Sequence, residues 1–286
     1  MRSWTTATAE GAGPVAGPDP RRGPGPRSRF LPGLRPRRIA HRGFAPDGAE
    51  NTLRAFHDAV AAGATMLETD TRATADGVAL ALHDEDLCRI AGDRRRVDSL
   101  AATDLPAIRI AGLEPIARLE DVLGTFPDMP INIDVKDAAA VGPAVRAIAR
   151  TGSARRVCVT SFDDAVARRA ATGVRVTTGI TPVRSPSRIA LGTFLAAGAL
   201  ELPDRAVRRL LSPYGALQVP VSYRGVPVVT PRTVAAAHRA GCEVHVWTID
   251  ERDVMRALLD LGVDGIITNR VDVLAELLED AAPPRD

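Results

Sequence analysis

Ile131-Asn132-Ile133-Asp134-Val135-Lys136-Asp137 is a short alternating run that ends in charge. Strand side chains alternate between faces, so Asp134 and Lys136 point the same way. Lys136 is the one lysine in a chain with 36 arginines. Arginine carries a wide planar fork, whereas lysine carries a compact ammonium on a flexible stem. The single exception, placed beside a carboxylate, points to a tight site that needs the smaller head rather than to a surface lysine left by chance. Two other segments end in charge in the same way: Arg38–His41 and Met66–Thr71, the second carrying Glu68 and Asp70 on one face.

Working outward, the strand candidates number eight: Arg38–His41, Met66–Thr71, Ile131–Lys136, Val157–Phe162, Arg175–Ile180, Leu217–Tyr223, Glu243–Ile249 and Gly265–Thr268. Most are nearly continuous apolar runs, as in parallel strands covered on both faces. Helical patterns separate them. Asn51–Ala62 places Leu53, Phe56, Ala59 and Val60 on one face, with Asn51 expected as N-cap and Gly63 as the stop. Ala138–Arg150, Asp163–Ala171, Pro231–Ala240, Glu251–Leu261 and Val271–Leu278 follow the same logic, and Ile189–Leu211 reads as a helix broken near Pro203. Gly63, Gly173, Gly241 and Gly262 are each expected to close a helix.

This alternation predicts an α/β fold, a (β/α)8 TIM-type barrel forming a single domain over residues 37–280. An open doubly wound sheet would need a phosphate-binding glycine turn after the first strand, and His41-Arg42-Gly43 is not one. Two segments interrupt the pattern. Ala75–Cys88 reads as a hairpin insertion after the second strand, and Asp93–Pro115 as a lid or surface excursion over the barrel mouth.

Residues 1–36 hold six Arg against Glu10 and Asp19, with seven Pro and six Gly. So few large apolar residues predict a disordered leader, and no apolar run makes it a secretory signal. A weak anionic-surface binder or a targeting segment are the alternatives to an inert tail. Residues 281–286 are expected to be a tail. Residues 37–286 carry 31 cations against 33 anions, which excludes a general basic face for nucleic acid. No segment has the ~18 apolar residues that span a bilayer, so transient contact with a membrane surface is the most expected there. Cys88, Cys158 and Cys242 show no CxxC spacing, and their odd count fits a reducing, cytoplasmic setting. The oligomeric state has no signal in the sequence.

Four polar clusters fall where barrel strands should end: His41-Arg42-Gly43 followed by Glu50-Asn51, Glu68-Thr69-Asp70, Asp134-Val135-Lys136, and His83-Asp84. Glu68, Asp70 and Asp134 would converge at the rim. Three buried carboxylates repel one another and cost several kcal/mol each to desolvate. One divalent cation would relieve this, and an all-oxygen donor set suits Ca2+ or Mg2+. Salt bridges to the many arginines are the competing reading. Asp76-Gly77 signals a hairpin turn, and a two-residue loop would set Asp70 opposite His83. His41 and His83 then form a general acid–base pair, with Arg42 and Lys136 adding positive charge, a set suited to phosphate-ester chemistry. His57 and His238 read as surface residues, and His245 is left open.

These residues, in this order, resemble the glycerophosphodiester phosphodiesterase family: Ile39-Ala40-His41-Arg42-Gly43, Glu50-Asn51-Thr52 with Ala55-Phe56, Gly63-Ala64, Glu68-x-Asp70, Asp76-Gly77 and His83-Asp84. Asp134-x-Lys136, Ser161-Phe162, Val246-Trp247-Thr248 and Gly265-Ile266-Ile267-Thr268 extend the likeness over about residues 37–280. The resemblance implies hydrolysis of a glycerophosphodiester to glycerol 3-phosphate and an alcohol, with Ca2+ or Mg2+ at the mouth. It further implies His41 and His83 as acid and base, Glu68, Asp70 and Asp134 as metal ligands, and Arg42 and Lys136 as phosphate contacts. Glu50 would orient His41 and Arg42 or touch the metal, and Trp247 would wall the glycerol. Asp134 stands where the family usually has Glu, and Ala49 where it usually has Pro, which leaves metal preference open.

Three other readings compete. A phosphodiester lyase, or a phospholipase D-like enzyme acting on lysophospholipids and forming a cyclic phosphate, would use the same two histidines. A Schiff-base aldolase would need Lys136 with a depressed pKa, which the nearby acids oppose. A degenerate barrel would bind without turning over. The loops Asp93–Pro115 and Thr181–Gly198 would select the alcohol; Ile110, Leu113, Phe194 and Leu195 read as ordinary packing ahead of an acyl-chain path.

Overall fold

The computed structural model describes Leu31 and residues 33–280. The expected leader over residues 1–30 and residue 32, and the tail over 281–286, lie outside the described residues. Leu31, inside the span expected as leader, is buried, and Arg35 reaches Glu243 at 2.6 Å.

Eight parallel strands form a nearly closed barrel: β1 Arg37–His41, β2 Met66–Ala73, β4 Ile131–Val135, β5 Val157–Thr160, β6 Val183–Arg184, β7 Ala216–Val219, β8 Glu243–Val246 and β9 Gly265–Thr268. A short strand, β3 Ala79–Ala81, returns antiparallel along β2. The order is β6-β5-β4-β2-β1-β9-β8-β7. The Gly215 amide donates to Arg184 O at 2.9 Å and closes the remaining gap. Alternation explains the two-sided burial. Ile39, Met66, Cys158, Ala216 and Ile267 fill the interior with Leu31, while Leu67, Ile131, Ile133, Val157 and Val159 pack beneath the helices.

Six expectations change. Arg175–Ile180 is not a strand: residues 175–178 lie in the helix Asp164–Thr178, and the fifth stave is Val183–Arg184. Asp163 accepts from the Ala165 and Val166 amides, and the helix continues to Gly179 at φ 73°. Gly173 therefore does not stop a helix. A Cβ there would lie 2.8 Å from Val145 Cγ2, so it serves the close approach of helix Ala138–Arg150. Thr52, not Asn51, caps the helix Leu53–Ala61 by accepting from the Ala55 amide.

Leu217–Tyr223 is not one strand. β7 ends before Pro220, and Ser222–Tyr223 pairs with Val226–Pro227 across Arg224 (φ 50°) and Gly225 (φ 81°). The β2–β3 hairpin has three loop residues, because the Thr74 amide donates to Val78 O; Asp70 consequently faces Leu82 rather than His83. Residues 93–115 do not cover the mouth. Val97, Leu100, Leu105, Ile108 and Ile110 build a satellite core with Leu80, Leu82, Leu87 and Ile90, and none of the segment lines the central cavity. Among the described residues, no helix is long and apolar enough to cross a membrane.

Candidate active site

A cavity of about 610 Å³ opens at the C-terminal ends of the strands. His41, Arg42, Glu68, Asp70, His83, Asp134, Lys136 and Trp247 all line it; Glu50 stands behind Arg42. Register brings them together. His41 on β1 is the partner of Glu68 on β2, and Asp70 is the partner of Asp134 on β4.

Lys136 Nζ lies 2.6 Å from both Asp70 Oδ1 and Asp134 Oδ2. Arg42 Nε lies 3.0 Å from Asp70 Oδ2, and its Nη1 donates to Glu50 Oε1 at 2.8 Å. Arg42 and Asn51 both take φ 58°, where a side chain is unfavourable, arginine more so than asparagine. The surroundings hold them there. The Asn51 amide donates to Arg42 O at 2.8 Å, and the Arg42 amide reaches Glu68 O and Oε2. Gly43 follows at φ 85°, its missing Cβ 2.7 Å from the Ala55 carbonyl carbon, so the loop lies directly on the first helix.

Burial and the neighbouring Asp70 and Asp134 push the Glu68 carboxyl well above its usual range. Burial also raises Asp134, against the pull of Lys136. At Asp70, Lys136 and Arg42 together outweigh burial and hold the carboxyl low. Burial opposes the charge on Lys136, but Asp134 and Asp70 keep its pKa raised. That excludes the depressed amine an aldolase would need.

The two imidazoles have different partners. The Asp250 carboxylate accepts from Asn269 Nδ2 at 2.9 Å, which turns Asn269 Oδ1 toward His41 Nδ1 at 2.8 Å. The proton thus sits on Nδ1, leaving Nε2 to accept one. Burial and then Arg42 lower the His41 pKa. His83 Nδ1 lies 2.6 Å from Asp84 Oδ1, which fixes the ring from that side. Arg89 ties this side to the other, donating to Asp84 Oδ2 and Glu50 Oε1, each at 2.6 Å.

Asn51, Asp250, Asn269 and Arg89 are organising residues that the sequence reading missed. Asn51 donates to Asp70 Oδ2 and accepts from Thr69 Oγ1. Of the remaining histidines, His57 packs at a tilt against Phe126, His238 pairs with Asp264, and His245 is buried beside Glu243 at the other end of the barrel.

Among the described residues, no three acid, histidine or cysteine side chains already form a ligand cluster, and the Lys136 ammonium sits between Asp70 and Asp134. The donor set nonetheless fits a hard cation. The donors are all oxygen, and burial with the Asp70 and Asp134 carboxylates opposes the charge on Glu68, which a cation would relieve.

The glycerophosphoryl diester phosphodiesterase family model matches residues 41–273. A relative from Mycobacterium tuberculosis, described as probable glycerophosphodiester phosphodiesterase 2, is 41% identical over 243 residues, covering 84% of this chain and 89% of that one. A structure from Silicibacter pomeroyi, described as a putative glycerophosphoryl diester phosphodiesterase, has TM-score 0.68 at 23% identity, covering 85% and 92%. An Oleispira antarctica phosphodiesterase, solved with its product sn-glycerol-3-phosphate, has TM-score 0.67 at 18% identity, covering 84% and 96%. The chain, a phosphodiester hydrolase built on a TIM-type barrel, belongs to the glycerophosphoryl diester phosphodiesterase family.

Proposed function

We propose that the chain hydrolyses a glycerophosphodiester to glycerol 3-phosphate and an alcohol, with His41 as general base and His83 as general acid. The observation that carries this reading is the pair of imidazoles on one cavity, one fixed by a neutral amide and the other by a carboxylate. A water oxygen bonds to phosphorus, its proton passes to His41, the P–O bond to the alcohol breaks, and the alkoxide takes a proton from His83. Arg42 and Lys136 supply fixed positive charge beside the phosphate, and Trp247 walls the glycerol. Glu68, Asp70 and Asp134 would hold Mg2+ or Ca2+, which when bound stabilises charge on the non-bridging oxygens.

A coupled assay for glycerol 3-phosphate over a panel of glycerophosphodiesters, with and without EDTA, tests this. Turnover should stop with EDTA, return with Mg2+ or Ca2+, and fall by roughly 10²–10⁴ in His41→Ala or His83→Ala. A metal-loaded chain that turns over none of the panel, or no faster than His41→Ala, would sink the reading. Phosphorus NMR separates the lyase route, since a persisting cyclic phosphate would replace hydrolysis by internal transfer.

A further inference from the structure

The cavity mouth divides by chemistry. His41, Glu68, Asp70, Asp134 and Lys136 come from β1, β2 and β4. The segments after the next three staves, β5, β6 and β7, supply Phe162, Ile189 and Tyr223 to the same opening, Ile189 from the first turn of the helix Arg188–Ala199. The apolar half continues outward into solvent. Ile189 is 78% exposed, Val226 62%, Tyr223 54% and Phe162 51%, and Val221 lies beside them. Large apolar side chains gathered at one opening mark an interaction surface.

Charge selects the partner. After β6, residues 185–200 hold Arg188 at the mouth and no acid, Arg184 lying over the Tyr214 ring; residues 220–229 hold Arg224 and no acid. The Arg188 guanidinium lies 4.6 Å from the Phe162 ring centre, and that of Arg224 5.5 Å from the Tyr223 ring centre. Aromatic and aliphatic side chains edged by arginine match the boundary of an anionic bilayer. The apolar groups enter below the headgroups while the guanidinium groups meet phosphate.

We propose that this half of the mouth docks on an anionic lipid surface and opens the cavity onto it, so that the diester enters at the lipid–water boundary. The docking rests on the rim alone; its use in uptake rests on the phosphodiesterase reading.

The test is co-sedimentation of the full chain with vesicles of phosphatidylcholine alone, and of phosphatidylcholine mixed with phosphatidylglycerol. A combined Val221→Asp, Arg224→Glu, Val226→Asp variant is compared. None of the three residues lines the cavity, so its turnover of dissolved glycerophosphocholine should match the parent, which also reports correct folding. The parent should bind the anionic vesicles and lose binding as salt rises, and the variant should bind them about tenfold more weakly. Equal binding by both chains, including binding through the N-terminal arginines, overturns the proposal. So does a parent that binds neither vesicle, or a dimer in solution that the variant abolishes. A parent that binds vesicles but turns over no dissolved diester counts against the phosphodiesterase reading and leaves the docking standing.

Discussion

Lys136 shows what one residue can disclose. In a chain that otherwise uses arginine, its ammonium sits 2.6 Å from two carboxylates on adjacent strands. A guanidinium is wider and planar, so it cannot take the same point between Asp70 and Asp134 without moving one of them. Lys136→Arg should therefore lower kcat/KM by about 100-fold, in the range for losing one charge-stabilising donor. Steady-state kinetics on a soluble diester measure this, and unchanged kcat/KM would return Lys136 to the status of a surface cation. The charged strand ends were legible because alternation and strand register act on short, recognisable runs. Asp250 and Asn269 were not, because a lone asparagine or aspartate has no periodicity and acts through partners far along the chain; Asn51 stands in a charged cluster but reads as a helix cap rather than as a partner of Asp70. His41 and Asn269 are 228 residues apart. The one available signal was the place of Asn269, directly after the last barrel strand, where side chains face the mouth.

At the scale of elements, most of the chain obeyed its pattern, and the exceptions have physical causes. Val174, Val176, Thr177 and Thr178 invite a strand by local propensity. Helix packing overrides it, since Val166, Ala167, Ala170, Ala171 and Val174 form one buried face. The hairpin after β2 was foreseen, but its register was set by a third loop residue that no turn dipeptide announces. His83 reaches the cavity all the same, because it lies past the paired residues of β3. The short helix Cys88–Ala91 that follows carries Arg89, which joins Asp84, the partner of His83, to Glu50, the partner of Arg42. Arg89 is thus a positioning residue linking the two sides of the site. Arg89→Ala should reduce kcat by about 10-fold or more with a smaller change in KM. Its side chain is half exposed, so the thermal midpoint should stay close to that of the parent. Arg89→Lys should recover only part, since a point charge cannot reproduce the fork. A fall in thermal midpoint that tracks the loss of kcat would make the role merely structural.

Across the whole molecule, the barrel separates two polar centres. The mouth carries the two imidazoles and the carboxylate cluster; the opposite end holds Arg37, 1% exposed, with Nε 2.6 Å from Glu243 Oε2 and His245 Nε2 at 3.0 Å from the same oxygen. Arg37 and Glu243 are 206 residues apart and join β1, the first stave, to β8, the seventh, across β9, so their pairing exists only once the two ends of the chain come together. Barrel class could be read from alternating elements, whereas this pairing could not, since it belongs to no local pattern. Burial alone would raise the Glu243 carboxyl. Hydrogen bonds from His245 and Arg37, with their charges, instead lower it from 4.5 to about 2. A carboxyl depressed on folding stabilises the fold above its unfolded pKa and loses that contribution as pH falls through its folded value. The window is therefore pH 4.5 down to about 2, and the contribution is of the order of 3 kcal/mol. Thermal or denaturant unfolding across that window should show the parent losing its advantage over Glu243→Gln, whose amide does not titrate. At neutral pH Glu243→Ala should be destabilised by about 3–5 kcal/mol, because Arg37 stays buried without its carboxylate. A parent and Glu243→Gln whose stabilities fall in parallel from pH 5 to pH 2 would show that the ring does not depend on this pair.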